Sequence, residues 1–141
     1  AVAQQGWLRT PHLQFVYANA LEYPLPESDA FILNDILHYM NYEHQRTLLL
    51  RCMEQLRPEG KLIVRDGNAA NTRKHRLTRF TELLSTGIFS FNKTTEQLCF
   101  TSEAQIRSIA QEGGMQLEIL PNDRYTSNTI YIFQKNKPEH E

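Results

Sequence analysis

The chain has 141 residues, of which 40% are hydrophobic and 22% are charged, and its formal net charge is -1. This length is that of one ordinary domain, and the composition is too apolar for a disordered chain. The near-neutral charge excludes a global field that would draw the protein onto nucleic acid or an acidic membrane, and no apolar stretch approaches the ~20 residues that a membrane-spanning helix needs.

The two cysteines, Cys52 and Cys99, lie in apolar surroundings without the spacing of a metal site. We therefore expect two buried thiols in a reducing cytoplasm and no bound metal. The chain opens on Ala1, without the basic segment of a secretory signal, which predicts an internal piece of a longer protein.

The first part of the chain predicts two strands and the start of a helix. The stretch from Leu13 to Ala18 is β-branched and aromatic and follows Pro11, so we expect a strand there. After a proline-marked loop, the continuous apolar run from Ala30 to Leu33 is typical of a strand that helices bury on both faces. A short helical turn follows Asp35, and Asn41 stands where it can cap a helix.

That helix carries its apolar residues on one face, which consists of Leu48, Leu49, Cys52, Met53 and Leu56. The turn from Arg57 to Gly60 stops the helix, and the stretch from Lys61 to Arg65 is predicted to be another short strand. The order strand, helix, strand predicts a right-handed crossover between parallel strands.

The next part predicts two more helices. One runs from Thr72 to Ser85, and the segment from Ile88 to Phe100 has no clear pattern. Thr101 or Ser102 then caps a helix.

Two glycines end that helix, and two strands follow, Met115 to Leu120 and Thr129 to Gln134. Because the polar turn between these strands is short, we expect them to be antiparallel. One domain over residues 1–134, with a flexible tail at 135–141, is therefore predicted.

This order of elements, and several residue patterns within it, resemble the second half of a class I S-adenosylmethionine-dependent methyltransferase. The stretches that carry the likeness are Leu13 to Ala20, Tyr23 to Pro26, Ser28 to Tyr39, Leu56 to Val64, and Phe100 to Met115. They are similar to the family's third strand, the following loop, the fourth strand, the proline-glycine turn with the fifth strand, and the late helix with its glycine turn. The resemblance implies an α/β fold: part of a Rossmann-like sheet of parallel strands, with a C-terminal antiparallel pair and helices on both faces.

The resemblance also implies S-adenosylmethionine as the cofactor of the parent domain. In open α/β sheets, ligands collect at the carboxyl ends of the strands. Asn19 takes the place of the family's usual adenine-binding aspartate, the N–H of Ala20 would donate to the ring, and Leu21 would lie along it. Leu33 and Asn34 would meet the methionine part of the cofactor.

The same resemblance places four residues near the chemistry. Asp35 and His38 would border the transferred methyl group, and either is a candidate catalytic base. Tyr39 and Asp66 are candidate substrate contacts. Structural alternatives stand beside these roles, because Asn34 is also suited to cap the next turn, His38 to pack as a hydrogen-bonded core residue, and Asp66 to form a turn.

Two further features have two readings each. The basic run from Arg73 to Arg76 is either a solvated helix face or a patch for an anionic substrate or partner. A set of aromatic residues either walls an apolar substrate pocket or packs in the core: Tyr39, Tyr42, Phe89, Phe91 and Phe100.

The family's first two strands and its glycine-rich loop have no counterpart in this sequence. The predicted strand from Leu13 to Ala18 then lacks its neighbours, and open strand edges pair with other chains. We therefore expect this piece alone to bind the cofactor weakly, and either to self-associate or to leave its N-terminal part disordered. We also expect an upstream segment in the same gene that supplies the missing half.

Three functions are compatible with these patterns. The first is a cytoplasmic methyltransferase that acts on a small or lipid-like molecule, and the second is a non-catalytic, methyltransferase-like interaction domain of a larger protein. The third, another kind of nucleotide-binding α/β domain, is disfavoured because no phosphate loop is present. Nucleic acid is disfavoured as a methyl acceptor, since Asn34 and Asp35 are not followed by the Pro-Pro-aromatic motif of enzymes that methylate its amino groups.

Overall fold

The computed structural model describes residues 12–67, 99–120 and 128–135. Within them lie, in chain order, β1 (Ser28–Asn34), a short 3-10 turn (Leu37–Tyr39), α1 (Tyr42–Glu54), β2 (Leu56–Gly67), α2 (Glu103–Glu112), β3 (Met115–Leu120) and β4 (Asn128–Lys135). The predicted helix from Thr72 to Ser85 and the aromatic residues Phe89 and Phe91 lie outside the described residues.

The described strands form one sheet in the order β1-β2-β4-β3. β1 and β2 are parallel, with Leu33 opposite Val64, while β4 is antiparallel to both β2 and β3. The α/β fold with a parallel pair and a C-terminal antiparallel pair is therefore confirmed. Since β1, α1 and β2 follow one another, α1 forms the predicted crossover.

The residues before each helix determine where it begins. The side chain of Asn41 accepts a hydrogen bond from the N–H of His44 at 2.9 Å, as its N-cap position predicted. Ser102 and Gln105 form a reciprocal capping box at the start of α2. Of the two predicted caps, Ser102 is the one that caps this helix.

The core lies between the sheet and the two described helices, which also contact each other and so share one face of the sheet. Its most buried side chains are Leu48, Leu49, Cys52, Leu62, Val64, Ile106, Ile109 and Phe133. Burying a side chain of this size stabilises the fold by about 1.5–3 kcal/mol. On the other face of the sheet, Ile32 is 70% exposed, so within the described residues helices cover one face.

The turn predicted at Arg57 to Gly60 is a bulge within a longer strand. Between the pairs Ser28–Leu56 and Ala30–Lys61 the register shifts, and these extra residues loop out of β2. A Cβ on Gly60 would lie 2.9 Å from the carbonyl oxygen of Asp29, so the close backbone approach at this bulge requires glycine.

Two other predictions are wrong. Leu13 to Ala18 forms no strand, and the Tyr17 side chain is 98% exposed, because no described strand lies beside this segment to pair with it. Cys52 is buried as expected, whereas Cys99 is exposed. Among the described helices, none is long and apolar enough to cross a membrane.

Candidate active site at the ends of the parallel strands

Three strands bring polar residues to one edge of the sheet. β1 ends at Asn34, β2 ends at Gly67, and Asn128, the first residue of β4, pairs with Gly67. Because the parallel strands end at the same edge, the residues that follow β1 lie beside Asp66. This edge is where ligands bind in open α/β sheets.

The His38 ring and the Asp66 carboxylate form a buried pair at this edge. Nδ1 of His38 lies 2.6 Å from Oδ1 of Asp66, and the two residues are 9% and 5% exposed. Asp66 also accepts hydrogen bonds from the backbone N–H groups of Leu37 at 2.7 Å, His38 at 3.3 Å and Gly67 at 2.7 Å. A carboxylate only accepts, so Nδ1 carries the hydrogen and the lone pair of a neutral His38 ring is on Nε2.

Aromatic rings surround His38. The ring of Phe100 stacks on it at a centroid distance of 5.8 Å and an angle of 22°. The Tyr39 ring lies 4.2 Å away at 43°, and about half of the Tyr39 side chain is exposed. The histidine therefore lies between an acidic partner and an apolar wall.

Asp35 is engaged with basic and amide groups. Its carboxylate forms an ion pair with Arg65 and accepts a hydrogen bond of 3.4 Å from the Asn128 side chain. Its backbone, at φ 52°, is in the left-handed region, which aspartate tolerates better than most residues. The Asp35 carboxylate is therefore already engaged by Arg65 and Asn128.

Asn34 does not cap the turn that follows it. Its side-chain oxygen accepts a hydrogen bond from Arg65 at 3.2 Å, and the turn begins at Ile36 without a side-chain cap. Leu33, one residue earlier, is half-buried and packs against the core. Asn34 and Leu33 therefore reach the edge where His38 and Asp66 meet.

The predicted adenine residues lie elsewhere. Asn19 forms a tight turn in which its side-chain oxygen accepts from the N–H of Leu21 at 3.1 Å. Arg51, in the last turn of α1, donates to the carbonyl oxygens of Ala20, at 3.0 Å, and Leu21. That end of α1 adjoins the start of β1, where the N–H of Ser28 donates to the carbonyl of Gln55 at 2.9 Å. Within the described residues, no hydrogen bond joins the Asn19 turn to the His38 edge.

Sequence reasoning missed three polar residues that build this region: Arg65, Asn128 and Gln45. Arg65 alternates with buried residues along β2, and this pattern indicated only that its side chain lies on the outer face of the sheet. Gln45 lies one turn after the cap of α1, on the face that Leu48 and Leu49 share, and a polar residue within an apolar stripe was the available signal.

This sheet, with a histidine–carboxylate pair at the ends of its parallel strands, defines a Rossmann-like α/β domain. The model of the O-methyltransferase domain family matches residues 2–116. The chain therefore belongs to this family of class I S-adenosylmethionine-dependent methyltransferases. Among curated proteins, none matches the chain.

Solved structures with the same fold are distant in sequence. An O-methyltransferase family protein from Burkholderia thailandensis is 18% identical at a TM-score of 0.63, over 89% of this chain and 36% of its own. Human N-acetylserotonin methyltransferase, solved in complex with SAM, is 18% identical at 0.66, over 96% and 37%. Magnesium protoporphyrin IX methyltransferase from Synechocystis, solved with bound SAH, is 16% identical at 0.56, over 84% and 49%. The chain thus spans between about a third and a half of the length of these structures.

Proposed function

We propose that the protein containing this chain transfers a methyl group from S-adenosylmethionine to a hydroxyl oxygen of a small or lipid-like molecule in the cytoplasm. His38 is the general base, and Asp66 orients it. The observation that carries the proposal is the buried contact of 2.6 Å between His38 Nδ1 and Asp66 Oδ1 at the carboxyl edge of the sheet.

The chain's own residues supply proton transfer and orientation. With the hydrogen on Nδ1 held by Asp66, Nε2 of His38 is the nitrogen that takes the proton from the acceptor hydroxyl as its oxygen attacks. The Asp66 carboxylate then stabilises the imidazolium that forms, and a positioned base of this kind contributes about 10²–10⁴-fold to the rate. When bound, S-adenosylmethionine supplies an electrophilic methyl group on its sulfonium. The contacts of Asp66 favour this orienting role over the direct substrate contact that the resemblance implied.

Part of a cofactor site is compatible with the residues present. Asn34 and the carbonyl of Leu33 end β1 beside His38, so they are suited to the methionine part. The Asn19 turn adjoins the start of β1, so Leu33 and Asn34 are the part of the predicted cofactor set that lies beside His38.

The aromatic surroundings of His38 favour an apolar acceptor. Tyr39 and Phe100 both lie against the ring of the base, so an aromatic or lipid-like hydroxyl compound would contact them while its oxygen reaches Nε2. The near-neutral charge of the chain supports a small-molecule acceptor over nucleic acid.

The test uses the full-length protein, tritiated S-adenosylmethionine and a panel of phenols and hydroxylated lipids. His38→Gln is compared with His44→Gln, a matched change at an exposed position of α1. We expect the first variant to lose about 100-fold or more in methyl transfer while it keeps wild-type cofactor affinity in titration calorimetry, and the second to keep full activity. Equal rates for the two variants would refute the role of His38. A wild-type protein that does not bind the cofactor would favour the non-catalytic interaction domain instead.

A further inference from the structure

One buried amide on α1 contacts two backbone segments beside His38. Gln45 is 1% exposed, and its Nε2 lies within hydrogen-bond distance of the carbonyl oxygens of Leu37 at 3.0 Å, Met40 at 2.9 Å and Cys99 at 2.8 Å. Its Oε1 accepts a hydrogen bond from the hydroxyl of Thr101. An amide NH₂ has two hydrogens, so one of them is shared between two carbonyls, and both ends of the side chain are fully used.

These bonds join the two parts of the chain that enclose the base. Leu37 and Met40 flank His38 in the short turn, and Cys99 belongs to the segment that brings Phe100 against its ring. A further hydrogen bond runs from the N–H of Cys99 to the carbonyl of His38 at 3.2 Å. The turn is thus held by Asp66 on one side and by Gln45 and Cys99 on the other.

Packing alone does not account for a glutamine at this position. The neighbouring buried positions of α1 are Leu48 and Leu49, and an apolar side chain of similar volume would fill the space without the cost of burying an amide. The amide differs from such a side chain in one respect, because it donates to the carbonyls of Met40 and Cys99 and gives the Leu37 carbonyl a donor besides the N–H of Met40.

We propose that Gln45 is a positioning residue for the methyl-transfer reaction, which holds the His38 turn against the Cys99–Thr101 segment so that the ring keeps its contact with Asp66. The proposal rests on the role of His38 proposed above. Without the amide, the carbonyls of Leu37, Met40 and Cys99 lose this donor, and the turn relaxes to reach water or another donor. A displacement of about 1 Å at a reacting group costs up to about 100-fold in rate.

The experiment compares Gln45→Leu with Gln111→Leu in the full-length protein. Gln111 is exposed on α2, so it receives the same chemical change away from the turn. For Gln45→Leu we expect kcat to fall about 10-fold to 100-fold with unchanged cofactor affinity, and the NMR pattern that marks the hydrogen of His38 on Nδ1 to weaken. Gln111→Leu leaves both unchanged. A Gln45→Leu protein with wild-type kcat and an unchanged His38 pattern would overturn the proposal.

Two further variants keep the outcome decisive. If Gln45→Leu does not fold, Thr101→Val serves instead, because it removes only the bond to Oε1 of Gln45. We expect kcat to fall less, about threefold, with the same change in the NMR pattern of His38. An unchanged kcat and an unchanged NMR pattern would refute the role of Gln45. His38→Gln separates the two proposals. If His38→Gln is fully active, His38 is not the base and both proposals fail. If His38→Gln is inactive and Gln45→Leu is normal, only the positioning role of Gln45 is refuted.

Discussion

The substitution Asp66→Asn tests the buried pair most directly, because it changes hydrogen bonding and leaves the shape of the side chain almost unchanged. Oδ2 of Asp66 accepts from the N–H groups of Leu37 and His38, and Oδ1 accepts from His38 Nδ1 and the N–H of Gly67. Whichever way the new amide sits, two of these four donors face an NH₂ group. A buried donor without an acceptor costs about 1–3 kcal/mol, so the free energy of unfolding should fall by about 2–6 kcal/mol, or by about 1–3 kcal/mol if the ring hydrogen leaves Nδ1 and only one donor stays unpaired.

If the NH₂ group takes the Oδ1 position, which faces the ring, the ring hydrogen moves to Nε2 and the lone pair turns away from the substrate. We therefore expect activity to fall with stability. Urea denaturation followed by circular dichroism measures the free energy of unfolding in the full-length protein. The control is Asp29→Asn, which breaks an exposed ion pair of 3.0 Å with Arg57 and should cost less than about 1 kcal/mol. An Asp66→Asn protein as stable and as active as this control would show that the reasoning about the pair is wrong.

Three other predictions concern the surrounding fold. Burial raises the pKa of the Cys52 thiol from 9.0 to about 11, so the stability that the neutral thiol contributes is complete below pH 9 and is lost as the pH rises towards 11. At pH 8, iodoacetamide should label exposed Cys99 much faster than buried Cys52, and mass spectrometry would measure the two rates. Gly60→Ala should cost about 1–3 kcal/mol in urea denaturation, since the new Cβ would lie 2.9 Å from the Asp29 carbonyl, and a cost below the error of the fit would exclude that clash. Arg51→Met leaves backbone carbonyls of the Asn19 turn without their donor, so proteolysis should cut near that turn sooner than in the wild type, and identical cleavage would contradict the anchoring role.

Most secondary structure followed from local signals. Asn41 and Ser102 are caps because a short polar side chain before an apolar stripe satisfies the first N–H groups of a helix, and that chemistry is local. Continuous apolar runs placed β1 and the end of β2 correctly. The stretch from Leu13 to Ala18 has the same local preference and forms no strand, because pairing depends on a neighbouring strand that residue types do not reveal.

The positions of the candidate site residues were easier to predict than their hydrogen bonds. The end of each parallel strand located Asn34, His38 and Asp66 correctly at one edge, because that follows from topology. The roles assigned to these residues, and to Asn19 and Ala20, stay predictions. Gln45 bonds to Cys99, 54 residues away, and Arg65 to Asp35, 30 residues away, and the spacing of residues along the chain does not predict such contacts.

The hydrogen bonds of the His38 turn also have a consequence for when the site exists. The contact between His38 and Asp66 closes 28 residues of chain, and that between Gln45 and Cys99 closes 54. Closing loops of this length costs entropy that is recovered only once the strands have docked, so the histidine acquires its acidic partner late in folding. Local opening of the Cys99–Thr101 segment would then displace His38 from its catalytic position while the sheet stays folded. Hydrogen exchange at the Cys99 amide would measure how often this opening occurs.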